Sequence, residues 1–169
     1  AVRALLAVSP QETAVAPNLT ARENLEFIAR LYGADKGEAR GRAGAMLEQF
    51  HLFERKNERA KKLSGGMQRR LSVAMALITR PAVLFLDEPT LGLDVRARRE
   101  LWRFLEALKG ECTLVLTTHY LEEAEALSDR IAVMGAGRLK ALGTSLELRE
   151  QTGANSLEDA FLKLTEAEA

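Results

Sequence analysis

The stretch AVLFLDEPT, Ala82 to Thr90, decides how this chain folds. Ala82 to Leu86 are apolar without a break, and Asp87, Glu88 and Pro89 then end the run. A strand with one wet face alternates apolar and polar residues. A continuous run suits a central strand of a parallel sheet covered on both faces. CTLVLTTH (Cys112 to His119) and RIAVM (Arg130 to Met134) read the same way. Helical periodicity fills the gaps: Ser64 to Thr79, Val95 to Lys109 with Leu101, Phe104, Leu105 and Leu108 on one side, and Leu121 to Leu127. Strand and helix alternate, so the fold class is α/β.

Toward the amino end, Ala4 to Val8 form a short apolar run closed by Ser9-Pro10, a buried strand leading into a loop. After Pro17, Thr20 and Glu23 stand at capping-box spacing, and Leu25, Ile28, Ala29 and Tyr32 follow at helical intervals up to Gly33. A second helix is expected over Lys36 to His51, with Met46, Leu47 and Phe50 inward. Residues 20 to 62 thus form an all-helical segment set between strands. The tail carries capping boxes at Thr144 with Glu147 and at Ser156 with Asp159, heading two short helices.

Composition narrows the class without choosing a partner. The chain has 169 residues, 47% hydrophobic and 28% charged, and its 24 Lys and Arg balance 24 Asp and Glu. No net charge argues for nucleic acid or a membrane surface. Cys112 is the single cysteine, so no internal disulfide forms; at the head of an apolar run it reads as a structural thiol. No apolar stretch approaches the roughly 18 residues that span a bilayer. The start shows no basic segment ahead of an apolar one, hence no signal peptide, and without Met it reads as a cut end.

The residues that can carry chemistry gather where strands stop. Asp87 and Glu88 lie at the carboxyl edge of a strand, where open α/β folds bind ligands. An aspartate there can hold Mg²⁺, an ion that prefers hard oxygen ligands, and the neighbouring Glu88 is free to take a proton from an attacking water. A solvated acidic turn explains the same residues. His119 follows another strand at the same edge, where it could donate to a phosphate oxygen or simply cap the next helix. Gln11 sits on the loop after the first strand, and Asp94 has the position of a helix cap. In LSGGMQ, Leu63 to Gln68, two adjacent glycines precede an amphipathic run. Glycine costs backbone entropy, so a flexible turn or a close approach to the backbone is implied.

Taken in order, Gln11, LSGGMQ at 63–68, VLFLDEPT at 83–90, LGLD at 91–94 and His119 resemble the nucleotide-binding domain of ATP-binding-cassette (ABC) proteins. The resemblance implies a P-loop NTPase (RecA-like) core, its sheet mostly parallel, with an inserted helical subdomain and the first part of the core missing. It implies residues 1–19 as strand and Q-loop, 20–80 as helical subdomain, 81–143 as the carboxyl half of the core and 144–169 as terminal helices. The implied cofactors are ATP and Mg²⁺. Ser64, Gly65 and Gly66 would contact the γ-phosphate of ATP held by a twin subunit, since a helix amino end attracts anions. Asp87 would bind Mg²⁺ through water, Glu88 would orient the attacking water and His119 would touch the γ-phosphate. Gln11 would sense Mg²⁺ and the membrane partner, and Asp94 would meet the second subunit.

The partners so implied are a second nucleotide-binding domain, head to tail, and a separate transmembrane permease, with no nucleic acid. The expected location is the cytoplasmic face of the inner membrane. The whole protein would be a transport-coupled ATPase of the exporter kind. A soluble ABC ATPase of translation or DNA repair, or a non-catalytic interaction module, are the alternatives. One departure matters. The family's phosphate-cradling loop ends in Gly-Lys, and the chain has no Gly-Lys pair. The resemblance therefore implies a missing upstream piece, an inactive isolated chain, and unpaired strand edges that invite self-association. A smaller departure is Leu91 at the first place of LGLD, which leaves Asp94 intact.

Overall fold

The structure is a computed structural model that describes residues 5–166, and it divides after Thr117 into two compact units. In the first unit, β1 (Leu6–Ser9), β2 (Val83–Asp87) and β3 (Thr113–Thr117) form a parallel sheet in the order β1-β2-β3. The register pairs Ser9 with Leu86 and Asp87 with Thr117, so the carboxyl ends of all three strands lie together. The expected first residue of β1, Ala4, lies outside the described residues. The parallel sheet and the strand-helix alternation are as the apolar runs require.

Between β1 and β2 run α1 (Ala21–Leu31), α2 (Lys36–Gln49) and α3 (Gly65–Leu77), with α4 (Val95–Ala107) between β2 and β3. Local chemistry sets the helix starts. Thr20 and Glu23 close a reciprocal capping box on α1, while Asp35, Ser64 and Asp94 cap α2, α3 and α4 through their side-chain oxygens. Leu25, Ala29, Ala39, Ala43, Leu47 and Phe50 bury the α1–α2 contact, and Phe50 stacks on Phe104 of α4 with ring centroids 5.2 Å apart. Tyr32, placed at a helical interval by the sequence, is 54% exposed, because α1 has ended by then and Tyr32 is its C-cap.

One expectation fails in the sheet itself. The apolar runs called for cover on both faces, and among the described residues one face is well covered and the other only partly. Helix α3 packs against β1 and β2, on a sheet whose buried face carries Leu84 and Leu86. Each of those leucines is worth about 1.5–3 kcal/mol by burial. On the other face Val8, Phe85 and Val115 are register partners in a row and are 60%, 38% and 39% exposed.

The second unit holds α5 (Leu121–Leu127), β4 (Ile131–Gly135), β5 (Arg138–Gly143), α6 (Ser145–Thr152) and α7 (Leu157–Glu166). Here RIAVM departs from the expected role. It is a strand, but it pairs antiparallel with β5 in a two-stranded sheet of its own. The cause is the turn: Ala136 and Gly137 both take positive φ (48° and 73°), the pattern of a two-residue hairpin whose twist matches its strands. Val133, Ala141, Leu148 and Leu157 form this unit's core. Thr144 and Glu147 close the expected capping box on α6, and the Ser156 hydroxyl accepts from the Asp159 amide at the start of α7. Helix α5, by contrast, begins at Tyr120 with no side-chain cap.

Candidate functional site

The site begins with Asp87, the last residue of β2. Asp87 is exposed, and its carboxylate Oδ1 accepts from the Thr117 hydroxyl at 2.5 Å. Glu88 follows with φ of 45°, a left-handed conformation uncommon outside glycine. Its amide donates to the Thr117 carbonyl at 3.0 Å and meets the Thr117 hydroxyl oxygen at 3.3 Å. His51, Arg80 and Ala136 share that conformation, so what distinguishes Glu88 is its place at the strand end beside Asp87. Here Thr117 supports it from the neighbouring strand.

Helix α3 reaches the same strand ends through a residue that the motifs do not point to. Arg69 is 4% exposed and spends its guanidinium on main-chain carbonyls. Nε donates to Pro89 at 2.8 Å and Nη2 to Asp87 at 2.8 Å; Nη1 donates to Pro10 and, at 3.3 Å, to Gln11. The loop after β1 and the turn after β2 are thereby tied to one side chain. Ser72 adds a buried hydroxyl contact to Ser9 at 3.3 Å. The Gln11 side chain itself is exposed. No local pattern marks Arg69: adjacent Arg70 has the same chemistry and a different fate. Arg70 faces Glu100 at 3.7 Å and the Phe104 ring, and burial pushes its pKa down while Glu100 opposes the shift.

At the amino end of α3 the Ser64 hydroxyl accepts from the Met67 amide at 3.3 Å, and the Gln68 amide bonds the Ser64 carbonyl. Helix geometry leaves the amides of Gly65 and Gly66 without an intrahelical acceptor. The two glycines differ. A Cβ on Gly65 would meet nothing within 4 Å, whereas one on Gly66 would come to 3.0 Å from Ala97 Cβ in α4. Gly65 leaves open space for an approaching group; Gly66 is small so that its own chain can pack. Asp94 caps α4 by accepting from the Ala97 amide at 2.9 Å, as its position implied.

His119 comes two residues after β3, within the second unit, with its ring 4.1 Å from that of Tyr120. Within the first unit Arg69 ties the Gln11 loop to the Asp87–Pro89 turn, and Gly66 sets the amino end of α3 against Ala97, the residue whose amide Asp94 caps. Cys112 is half-buried, and burial, with Glu111 adding to it, raises its thiol pKa, which suits a structural thiol better than a nucleophile. Among the described residues no three His, Cys, Asp or Glu side chains converge as a metal cage. Mg²⁺ needs none, because it binds through one or two carboxylates, water and substrate phosphate. The exposed Asp87 carboxylate fits that pattern. Among the described residues no helix is long and apolar enough to cross a membrane.

Comparison with known proteins gives the same direction. The ABC transporter family profile matches residues 1–91. The daunorubicin resistance ATP-binding protein DrrA3 of Streptomyces coeruleorubidus is 46% identical over 159 residues, covering 94% of this chain and 50% of that protein. The human phospholipid-transporting ATPase ABCA3 is 42% identical over 153 residues, 90% of this chain and 9% of its own length. The chain thus spans half or less of these curated relatives. A solved structure titled as the ATP binding subunit of an ABC transporter superposes with a TM-score of 0.81 at 30% identity, covering 96% of this chain and 69% of that one. The chain belongs to the ABC transporter family, and its fold is that of the family's ATP-binding subunits.

Proposed function

We propose that this chain is the signature-bearing and water-activating portion of an ATPase subunit that drives export through a separate transmembrane partner. The observation that carries the reading is the turn after β2, where Asp87 is gripped by Thr117 and Glu88 is held in a strained conformation at the sheet's carboxyl edge. Phosphoryl transfer asks chiefly for positioning and charge stabilisation, and this turn offers both.

In this reading Glu88 orients the attacking water and accepts its proton. Asp87 holds Mg²⁺ through water with Gln11 nearby, and the ion's charge offsets that of the phosphate oxygens. Ser64, Gly65 and the first-turn amides of α3 receive the γ-phosphate of ATP bound by a twin subunit. His119 donates to a γ-phosphate oxygen, and Asp94 lies against the twin. The subunit works at the cytoplasmic membrane face, with the helical segment 20–62 receiving the permease. Relatives named for drug resistance and phospholipid transport favour an exporter over a soluble ATPase of translation or repair. The isolated chain, which has no Gly-Lys loop, is proposed to be inactive.

The test is Glu88→Gln in the full-length protein. ATP turnover should fall by roughly a hundredfold or more while ATP binding persists. Unchanged turnover removes Glu88 from its role and the reading with it.

A further inference from the structure

We propose that Arg69 is a positioning residue that makes α3, the Gln11 loop and the Asp87–Pro89 turn move as one body. Four carbonyl oxygens from two segments, those of Pro10, Gln11, Asp87 and Pro89, converge on one guanidinium that is 4% exposed. A buried cation is tolerable only when its donors are matched by acceptors, and here the acceptors come from segments 18 to 59 residues away in sequence. The guanidinium is planar and its donors point in fixed directions, so the segments cannot drift independently without losing bonds. A lysine would bring a point charge with three rotatable donors and could not hold this planar, two-segment pattern.

Arg69 stands three residues beyond Gly66 on the same helix. Any displacement of the amino end of α3 is therefore passed to the main chain of Gln11 and to the strained turn bearing Glu88. The consequence for hydrolysis rests on the ATPase reading. The mechanical linkage does not.

The experiment compares full-length wild type, Arg69→Lys and the exposed-surface control Arg96→Lys. Hydrogen exchange is read at the Glu88, Leu91 and Leu93 amides, whose bonds to Thr117, Glu88 and Thr90 define the turn. In Arg69→Lys these amides should exchange about tenfold faster or more, as expected when charged hydrogen bonds are lost locally. ATP kcat should fall about tenfold or more with KM within roughly twofold, because the turn is misplaced and no nucleotide contact is removed. Arg96→Lys should match wild type.

Wild-type exchange in Arg69→Lys overturns the linkage, and faster exchange with unchanged kcat overturns its role in the reaction. Should Arg69→Lys fail to fold, side-chain NMR of unmutated protein decides: separate, slowly exchanging Arg69 Nη–H signals support the clamp, and one averaged signal overturns it. A wild-type protein without ATP turnover defeats the ATPase reading alone, because the exchange and NMR results still judge Arg69.

Discussion

The Thr117 hydroxyl donates to the Asp87 carboxylate at 2.5 Å across the β2–β3 register pair, and the Thr117 carbonyl receives the Glu88 amide at 3.0 Å. One residue at a strand end thus orients both neighbouring acids, the first through its side chain and the second through its main chain. Thr117→Val keeps the shape and removes only the hydroxyl. Both side chains are exposed or nearly so, so stability should change by less than about 1 kcal/mol. ATP turnover of the full-length protein should drop roughly tenfold, since small misplacements are costly in catalysis. Denaturant melts alongside turnover assays separate the two effects, and a variant with full turnover would remove Thr117 from the site.

The signature glycines make a paired prediction. Gly66→Ala places a Cβ 3.0 Å from Ala97 and should destabilise the first unit by about 1 kcal/mol through crowding. Gly65→Ala meets nothing within 4 Å and should leave stability unchanged or raise it by up to about 0.5–1 kcal/mol. Loss of ATP turnover in Gly65→Ala at full stability is expected if a phosphate approaches that face. Bulk at Gly66 cannot discriminate, because it disturbs the chain's own packing first.

Acid should loosen two helix starts. The Thr20 amide and hydroxyl hold the Glu23 carboxyl below its ordinary 4.5, and Thr144 does the same for Glu147. A depressed folded-state pKa contributes stability above the unfolded value and loses it as pH falls through the folded one. The contribution is therefore present at neutral pH and fades below about 4.5. Glu147→Gln should flatten the acid side of a stability-pH profile from pH 7 to 3 without steepening it elsewhere. An unchanged profile would mean that the cap contributes nothing.

The isolated chain should bind Mg-ATP more weakly than micromolar and should sediment with concentration-dependent mass. The first expectation follows from the missing Gly-Lys loop, the second from the exposed row Val8, Phe85 and Val115. Calorimetry and sedimentation velocity check them in turn. Phe85→Ser should reduce the association, and a monomeric, cooperatively melting chain would contradict it.

Much of this was legible in the sequence because its causes are local. Thr20 with Glu23 and Thr144 with Glu147 announce their helices by spacing alone, and AVLFLDEPT announces a parallel strand. RIAVM misled because an apolar run does not state its partner; the positive-φ turn at Ala136-Gly137 chose an antiparallel one. The runs through Val8, Phe85 and Val115 permit cover on both faces but cannot summon it. Arg69 and Thr117 were illegible for a further reason. Each acts on atoms 18 or more residues away, and the Arg69 acceptors are carbonyls that every residue possesses.

Six of the seven described α-helices start with an N-cap side chain that takes up the amide three residues on, and Tyr120 at the start of α5 does not; there the Thr118 hydroxyl takes only the Tyr120 amide. The seven residues of α5 are also the fewest. Warming should therefore unravel this segment before its neighbours, beginning at the turn that follows His119. Any duty that falls to that imidazole would then decline at temperatures where the rest of the molecule is still intact.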